Sequence, residues 1–228
     1  MPFFDDAGIV RENHRGPVIG ALAVFGEQVE RMVGVSLAWA VTLAPAAAAF
    51  ALPGLPAGVR AVMFVVSSLA VVPATGALYR LAATALDGDE VGVRAAIDAV
   101  RSSWLTSLRV LGPLYGAVTA LVLTAIFATG LHPVAAVVAQ VATLLALTAS
   151  MFWGPLLARV PDASTVGVLR GSLLLAWRSP ALAAGVGLVT LVFVAIGVLT
   201  IAGMALAVPA VLGLLHTNLV DHAGGMDG

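Results

Sequence analysis

The sequence predicts an all-α fold, a polytopic helical membrane bundle of about six transmembrane helices, and three observations carry that prediction. The chain is 61% hydrophobic and 10% charged, with a mean hydropathy of +1.06, whereas soluble domains carry about 25% charged residues. Its apolar residues fall into runs long enough to cross a hydrocarbon core of ~30 Å at ~1.5 Å per helical residue. All 11 basic residues are arginine, and they cluster at one end of those runs. A net charge of −1 argues against a nucleic-acid partner, and the absence of cysteine excludes disulfides, thiolate metal sites and cysteine nucleophiles.

Residues 1–17 are polar and read as a cytoplasmic tail. The acids Asp5, Asp6 and Glu12 precede the first apolar run, which is not the order of a signal peptide, so the amino terminus is expected to be retained. A single membrane domain covers 18–220, and 221–228 form a second tail. Val18, Leu22, Phe25, Val29 and Met32 make a helical stripe opposite Glu27, Gln28, Glu30 and Arg31. That stripe suits either an interfacial helix or the cytosolic turns of a long first span.

The first span is placed at 33–52 and is ended by the Pro53-Gly54 and Pro56 breakers. The second, 61–86, contains Pro73, where a kink or local unwinding is expected, and ends near Arg80, which can snorkel to the headgroups. The turn Asp87-Gly88-Asp89-Glu90 supplies acids to cap a following amphipathic helix, with Val93, Ile97, Val100, Trp104 and Leu108 on one face and Arg94, Asp98 and Arg101 on the other. This connector is expected along the membrane surface, with Trp104 at headgroup depth. The third and fourth spans follow at 110–130 and 134–157, and a second connector carries a capping serine, Ser164, with Arg170 and Arg178.

Between Arg178 and Asp221 no side chain is formally charged apart from the titratable His216. A single helix there would reach ~63 Å, about twice the core. A fifth span at 181–200 and a sixth at 204–219 satisfy that limit, with five spans and one long broken helix as the alternative. Ten arginines flank the same side of these spans and only Arg60 the other, which orients the amino terminus and both amphipathic connectors to the cytoplasm of a bacterial inner membrane.

An internal repeat underlies the middle of the chain. Pro73, Arg80, Val91-Gly92-Val93 and Trp104 recur in order as Pro155, Arg159, Val166-Gly167-Val168 and Trp177. Both copies cross inward, run along the inner surface and cross outward, the arrangement of parallel repeats about an axis normal to the membrane.

Chemistry-bearing groups are sparse. The histidines at 14, 132, 216 and 222 are scattered, without the i, i+4 spacing of a helical zinc site. The 87–90 turn has carboxylates that can hold a divalent cation, but its composition is that of a helix-starting cap. Gly34-Val35-Ser36-Leu37-Ala38 lies within an apolar run and is read as core rather than as a nucleophile elbow. Gly112 and Gly116 form a small-xxx-small pair suited to close packing within the chain in preference to a dimer contact, and His216 and Asn218 read as interfacial anchors in preference to a cytoplasmic vestibule.

Two functional readings follow. Arg94, Arg101, Trp104, Arg109, Arg170, Trp177 and Arg178 would form a cytoplasmic face for membrane lipid or a docked membrane-protein partner. Ser67, Thr75, Gln140 and Thr143 would instead line a polar path for a small-solute transporter or channel along the repeat axis, or serve interhelical hydrogen bonding. An intramembrane enzyme ranks below both for want of acid, base and metal groups, and no cofactor is implied.

From about residue 25 to 220 the chain resembles the YesL-like family of small bacterial membrane proteins. The resemblance rests on Trp39, on Pro73-Ala74-Thr75-Gly76-Ala77-Leu78-Tyr79 leading to Gly88-Asp89-Glu90, on Trp104, and on Gly154-Pro155-Leu156. The chain departs from that pattern at Ser36, where an Asn is expected, and in its Ala/Arg-rich first connector. The resemblance implies a non-enzymatic accessory role beside carbohydrate ABC transporters, with no catalytic residues to carry over.

Overall fold

The computed structural model describes residues 16–128, 130, 133–160, 162–200 and 202–224, and every regular element in them is helical. In chain order these are α1 (Pro17–Glu27), α2 (Val29–Val41), α3 (Ala44–Ala51), α4 (Ala57–Leu86), α5 (Val93–Ala128), α6 (Pro133–Arg159), α7 (Thr165–Arg178), α8 (Pro180–Thr200), α9 (Ala202–Leu206) and α10 (Val208–Gly224). Four of them, α4, α5, α6 and α8, are long and apolar enough to cross a membrane, and α2 with α3 makes a fifth if that bent pair counts as one span. The chain is a multi-pass helical membrane protein.

The predicted first span is not one straight helix: α2 and α3 meet at 52°. The cause is Pro45, the second residue of α3, whose ring cannot lie beneath the carbonyl of Val41 and which has no N–H to offer it. Helix ends inside a bilayer need partners for their freed donors. Ser67 of α4 supplies one, its Oγ accepting the Ala46 N–H at 3.0 Å. The same device recurs at the far end of the chain. Pro209 is the second residue of α10, and the N–H of the next residue, Ala210, donates to Ser36 Oγ of α2 at 3.1 Å. Two prolines start two helices in mid-bundle, and two serines from neighbouring helices complete them. Ser36 is thus core, as predicted, with a specific polar duty.

The predicted sixth span is corrected. Instead of a helix over 204–219, the chain forms short α9 and then α10, which continues to Gly224 and takes in part of the expected tail. At 17 residues α10 reaches ~26 Å, short of the ~30 Å core. No residue from Val208 to Ala223 is exposed. Helices α1, α4, α6 and α8 surround it, so its apolar residues meet protein rather than lipid. Leu214, Leu215 and Leu219 pack with Leu81, Phe152 and Met32 in the larger core, while Leu111, Leu114, Trp153 and Val168 form a second core between α5, α6 and α7.

The first connector also differs from expectation. Residues 93–108 do not form a separate surface helix, because α5 runs unbroken for 36 residues through Pro113. Ala99, Ser103, Ser107, Leu111 and Leu114 are buried on one side of it both before and after the proline, so continuous packing carries the helix across. Ser107 lies against Gly76 of α4, where a Cβ would collide with it. Pro73 likewise sits inside a continuous α4, without the predicted unwinding. In the second repeat copy the connector is separate: Ser179, held out of the helical region by the following Pro180, divides α7 from α8.

The 87–90 turn caps the helix before it rather than the helix after it. Gly88 has φ 84°, and the N–H groups of Gly88 and Asp89 return to the carbonyls of Ala85 and Thr84, a Schellman ending for α4. No acid stands in the first turn of α5. The acids serve ion pairs instead. Glu90 accepts from Arg31 at 3.0 Å, while Asp87 and Asp221 both accept from Arg159, at 2.8 and 2.6 Å. Gln28 completes the clamp, its Nε2 donating to the Asp89 carbonyl and its Oε1 accepting the Val91 N–H. Of the amino-terminal stripe, Val18, Phe25 and Met32 pack into the core whereas Leu22 and Val29 stay exposed. Gly112 and Gly116 are not close-packing positions within the chain, since a Cβ at either meets only open space; Gly76, Gly154 and Gly213 take that role.

Candidate functional site

At the end of the bundle where α4 stops, α5 starts and α6 hands over to α7, the arginines divide into two groups. Arg31, Arg80 and Arg159 are engaged: the first and last in the ion pairs above, Arg80 through Nη1 to Ser102 Oγ at 2.9 Å. Arg94, Arg101, Arg109 and Arg170 are exposed and make no ion pair among the described residues. Arg178 is exposed at the end of α7. Sequence reasoning had no means of making this division, because the partners lie 22 to 72 positions away along the chain, on other helices or connecting turns. Arg11 and Arg15 lie outside the described residues, as do the histidines at 14 and 132. Arg60, at the opposite end of α4, donates to the Pro53 carbonyl at 3.0 Å.

Two amphipathic helical surfaces carry the exposed arginines. In the amino-terminal half of α5 the small residues Ala99, Ser103 and Ser107 turn inward, which leaves Val93, Ile97, Val100 and Trp104 outside, at 80, 47, 39 and 44% exposure. The predicted stripe is therefore real and faces away from the bundle, apart from half-buried Leu108. On α7, Ser164 caps the first turn as predicted, accepting from the Gly167 N–H at 3.1 Å. Val168 and Ser172 face inward, and Trp153 Nε1 of α6 donates to Ser172 Oγ at 3.1 Å. Thr165 Oγ1 donates to the Arg109 carbonyl, which ties α7 to α5.

The four residues of the predicted polar path do not come together. Ser67 caps α3, and Thr75 accepts from Trp39 Nε1 at 2.9 Å while donating to the Val71 carbonyl. Both belong to the packing of α4 against the broken first span. Gln140 and Thr143 lie elsewhere, in a shallow outward-facing groove between α5 and α6 with Val122, Ala125, Ile126 and Leu144. Thr143 donates to the Ala139 carbonyl, and no hydrogen bond joins the exposed Gln140 amide to the described residues. Gln140→Leu is accordingly expected to leave the unfolding stability in detergent unchanged or slightly raised; a loss of more than about 1 kcal/mol would mean that the amide holds the fold together.

The polar center of the bundle was missed altogether. His216, expected at an interface, is buried on α10 at 5% exposure. Its Nδ1 lies 3.0 Å from the Tyr79 hydroxyl of α4, and its Nε2 lies 2.9 Å from Thr190 Oγ1 of α8. Whichever nitrogen carries the proton, the imidazole donates at one and accepts at the other. Asn218, also expected at an interface, donates through Nδ2 to the Pro17 carbonyl at 3.0 Å and so fastens α10 to the start of α1. No three His, Asp or Glu side chains converge among the described residues. Compared with known protein families, curated proteins and solved structures, the chain matches none.

Proposed function

We propose that the protein is a non-enzymatic accessory or scaffold subunit of a bacterial inner membrane, with its amino terminus cytoplasmic and the amino-terminal half of α5 as its docking surface. The observation that carries this reading is the reach of α5. Its 36 residues measure ~54 Å, against a hydrocarbon core of ~30 Å. The excess falls at the arginine-rich end and presents Arg94, Arg101, Trp104 and Arg109 on an exposed face. Positive-inside orientation assigns that end to the cytoplasm. The return from α8 through α9 and α10 brings Asp221 back to Arg159 at the same end, where Asn218 also reaches the start of α1 at Pro17. The YesL-like resemblance supplies the class of partner: a membrane component of a carbohydrate ABC-transport system.

Transport by the chain alone is disfavored by how the interior polar groups are used. Ser36 and Ser67 each complete a helix start, Thr75 holds the Trp39 indole, and Tyr79, Thr190 and His216 bond one another. The deciding experiment places a photo-crosslinking residue at position 104 in the full chain in native membranes, with position 127 on an exposed face of α5 as control. A discrete adduct with a second membrane protein from 104 alone, lost on Arg94→Glu with Arg101→Glu, supports docking. The absence of any such adduct, together with solute flux by the purified protein in liposomes, overturns it in favor of a transporter.

A further inference from the structure

The outward face of α7 is apolar and exposed, although the helix is too short to span the membrane. Val166, Leu173, Leu174 and Trp177 are 73, 56, 49 and 86% exposed, and with Leu169 and Arg170 they line a shallow depression of about 460 Å³. No other described residue covers it. From this we infer that α7 is an anionic-lipid-binding helix, seated in the inner leaflet with its leucines and Trp177 among the acyl chains and Arg170 on a lipid phosphate.

Three features select lipid over a protein occupant. The first is tethering. Helix α6, a membrane-crossing candidate, ends at Arg159, and α8, another, begins at Pro180. The carboxyl end of α7 is therefore held by the single residue Ser179 at the level where α8 enters the bilayer, and its amino end is tied to α5 by the Thr165–Arg109 hydrogen bond. The second is length: 14 residues reach ~21 Å, which is too short to cross and right for a helix lying in the interface. The third is charge. The segment Thr165–Arg178 contains Arg170 and Arg178 and no acid, and a tryptophan with arginines at an apolar border matches the chemistry of headgroup depth. The inward residues Val168 and Ser172, anchored by Trp153, fix the rotation of the helix so that this face cannot turn into the bundle. The protein-docking role of α5 is a separate matter, and either inference can fail without the other.

The chain has no cysteine, so one introduced at position 173 labels there alone. Spin-labelled Leu173→Cys protein in vesicles of phosphatidylcholine with phosphatidylglycerol is expected to be accessible to dissolved oxygen and shielded from a water-soluble nickel chelate. Purified full-length protein should also retain phosphatidylglycerol over phosphatidylcholine in native mass spectrometry. Arg170→Gln should lower that preference about five-fold, Arg170→Lys should largely keep it, and Arg60→Gln, at the opposite end, should leave it unchanged. A label open to the chelate would place the face in water. A label shielded from both probes would mean that protein covers it. Equal lipid retention by wild type and Arg170→Gln would remove the phosphate contact. Each of these three results overturns the inference.

Discussion

His216→Ala is expected to lose ~4 kcal/mol of folding stability, a fall of about 10 °C in the unfolding midpoint of the purified protein. Among the described residues the imidazole alone joins Tyr79 of α4 to Thr190 of α8, and it does so from within α10. Truncation leaves two hydroxyls without that partner in the interior, at ~1–3 kcal/mol each, and adds the cost of a cavity. The control separates those causes. Adding Tyr79→Phe and Thr190→Val to the alanine variant removes the stranded hydroxyls and should recover about 2 kcal/mol despite two further substitutions. No recovery would assign the whole loss to the cavity and deny the hydrogen-bond network its role.

Gly154→Ala should cost ~3 kcal/mol, although alanine is the better helix former by ~1 kcal/mol. A methyl group on residue 154 would fall within the ring of Tyr79. The ring has nowhere convenient to go. Its hydroxyl is tied to His216, and the two rings stack with centroids 6.2 Å apart and planes 19° from parallel. Relief therefore requires either an overpacked interface or a broken Tyr79–His216 bond. Denaturation of a double-mutant cycle with Tyr79→Ala checks the assignment: in that background Gly154→Ala should cost less than about 1 kcal/mol. Equal cost in both backgrounds would place the clash elsewhere. Since α4, α6 and α10 meet at Tyr79, Gly154 and His216, the two variants probe a single junction from opposite sides.

That junction was legible only in fragments. Pro73 to Tyr79 and Gly154-Pro155-Leu156 stood out as motif-like, yet nothing in either stretch indicates that Tyr79 packs on Gly154. A lone histidine near the end of an apolar run reads as an interfacial anchor, because sequence position reports depth along the chain and says nothing about which helix surrounds it. The two breaks were more accessible. Pro45 and Pro209 each remove a rung of the helical ladder at the places where 33–52 and 204–219 divide, but Pro73, Pro113 and Pro155 lie inside continuous helices, so a proline alone does not mark a break. The capping serines could not have been paired with Pro45 and Pro209, since Ser67 and Ser36 come from other helices. The turn at 87–90 shows a different limit: acids between two helices suit an N-cap by composition, but Gly88 at positive φ and the arrival of Arg31 and Arg159 made it a C-cap and an ion-pair hub.

By itself the sequence determined the membrane class, the apolar runs of α4, α5, α6 and α8, the amphipathic faces of α7 and the start of α5, and the crowding of arginine at one end. These follow from the transfer free energies of individual side chains and from helical period, both local and nearly additive. The tertiary structure alone decided that α10 is lined by protein, that some arginines are spent on carboxylates while others face outward, and that Ser36, Ser67, Tyr79, Thr190 and His216 meet partners from other helices. Those outcomes depend on which donor meets which acceptor where no water can substitute, and such meetings join positions as distant as Ser36 and Ala210 or Tyr79 and His216.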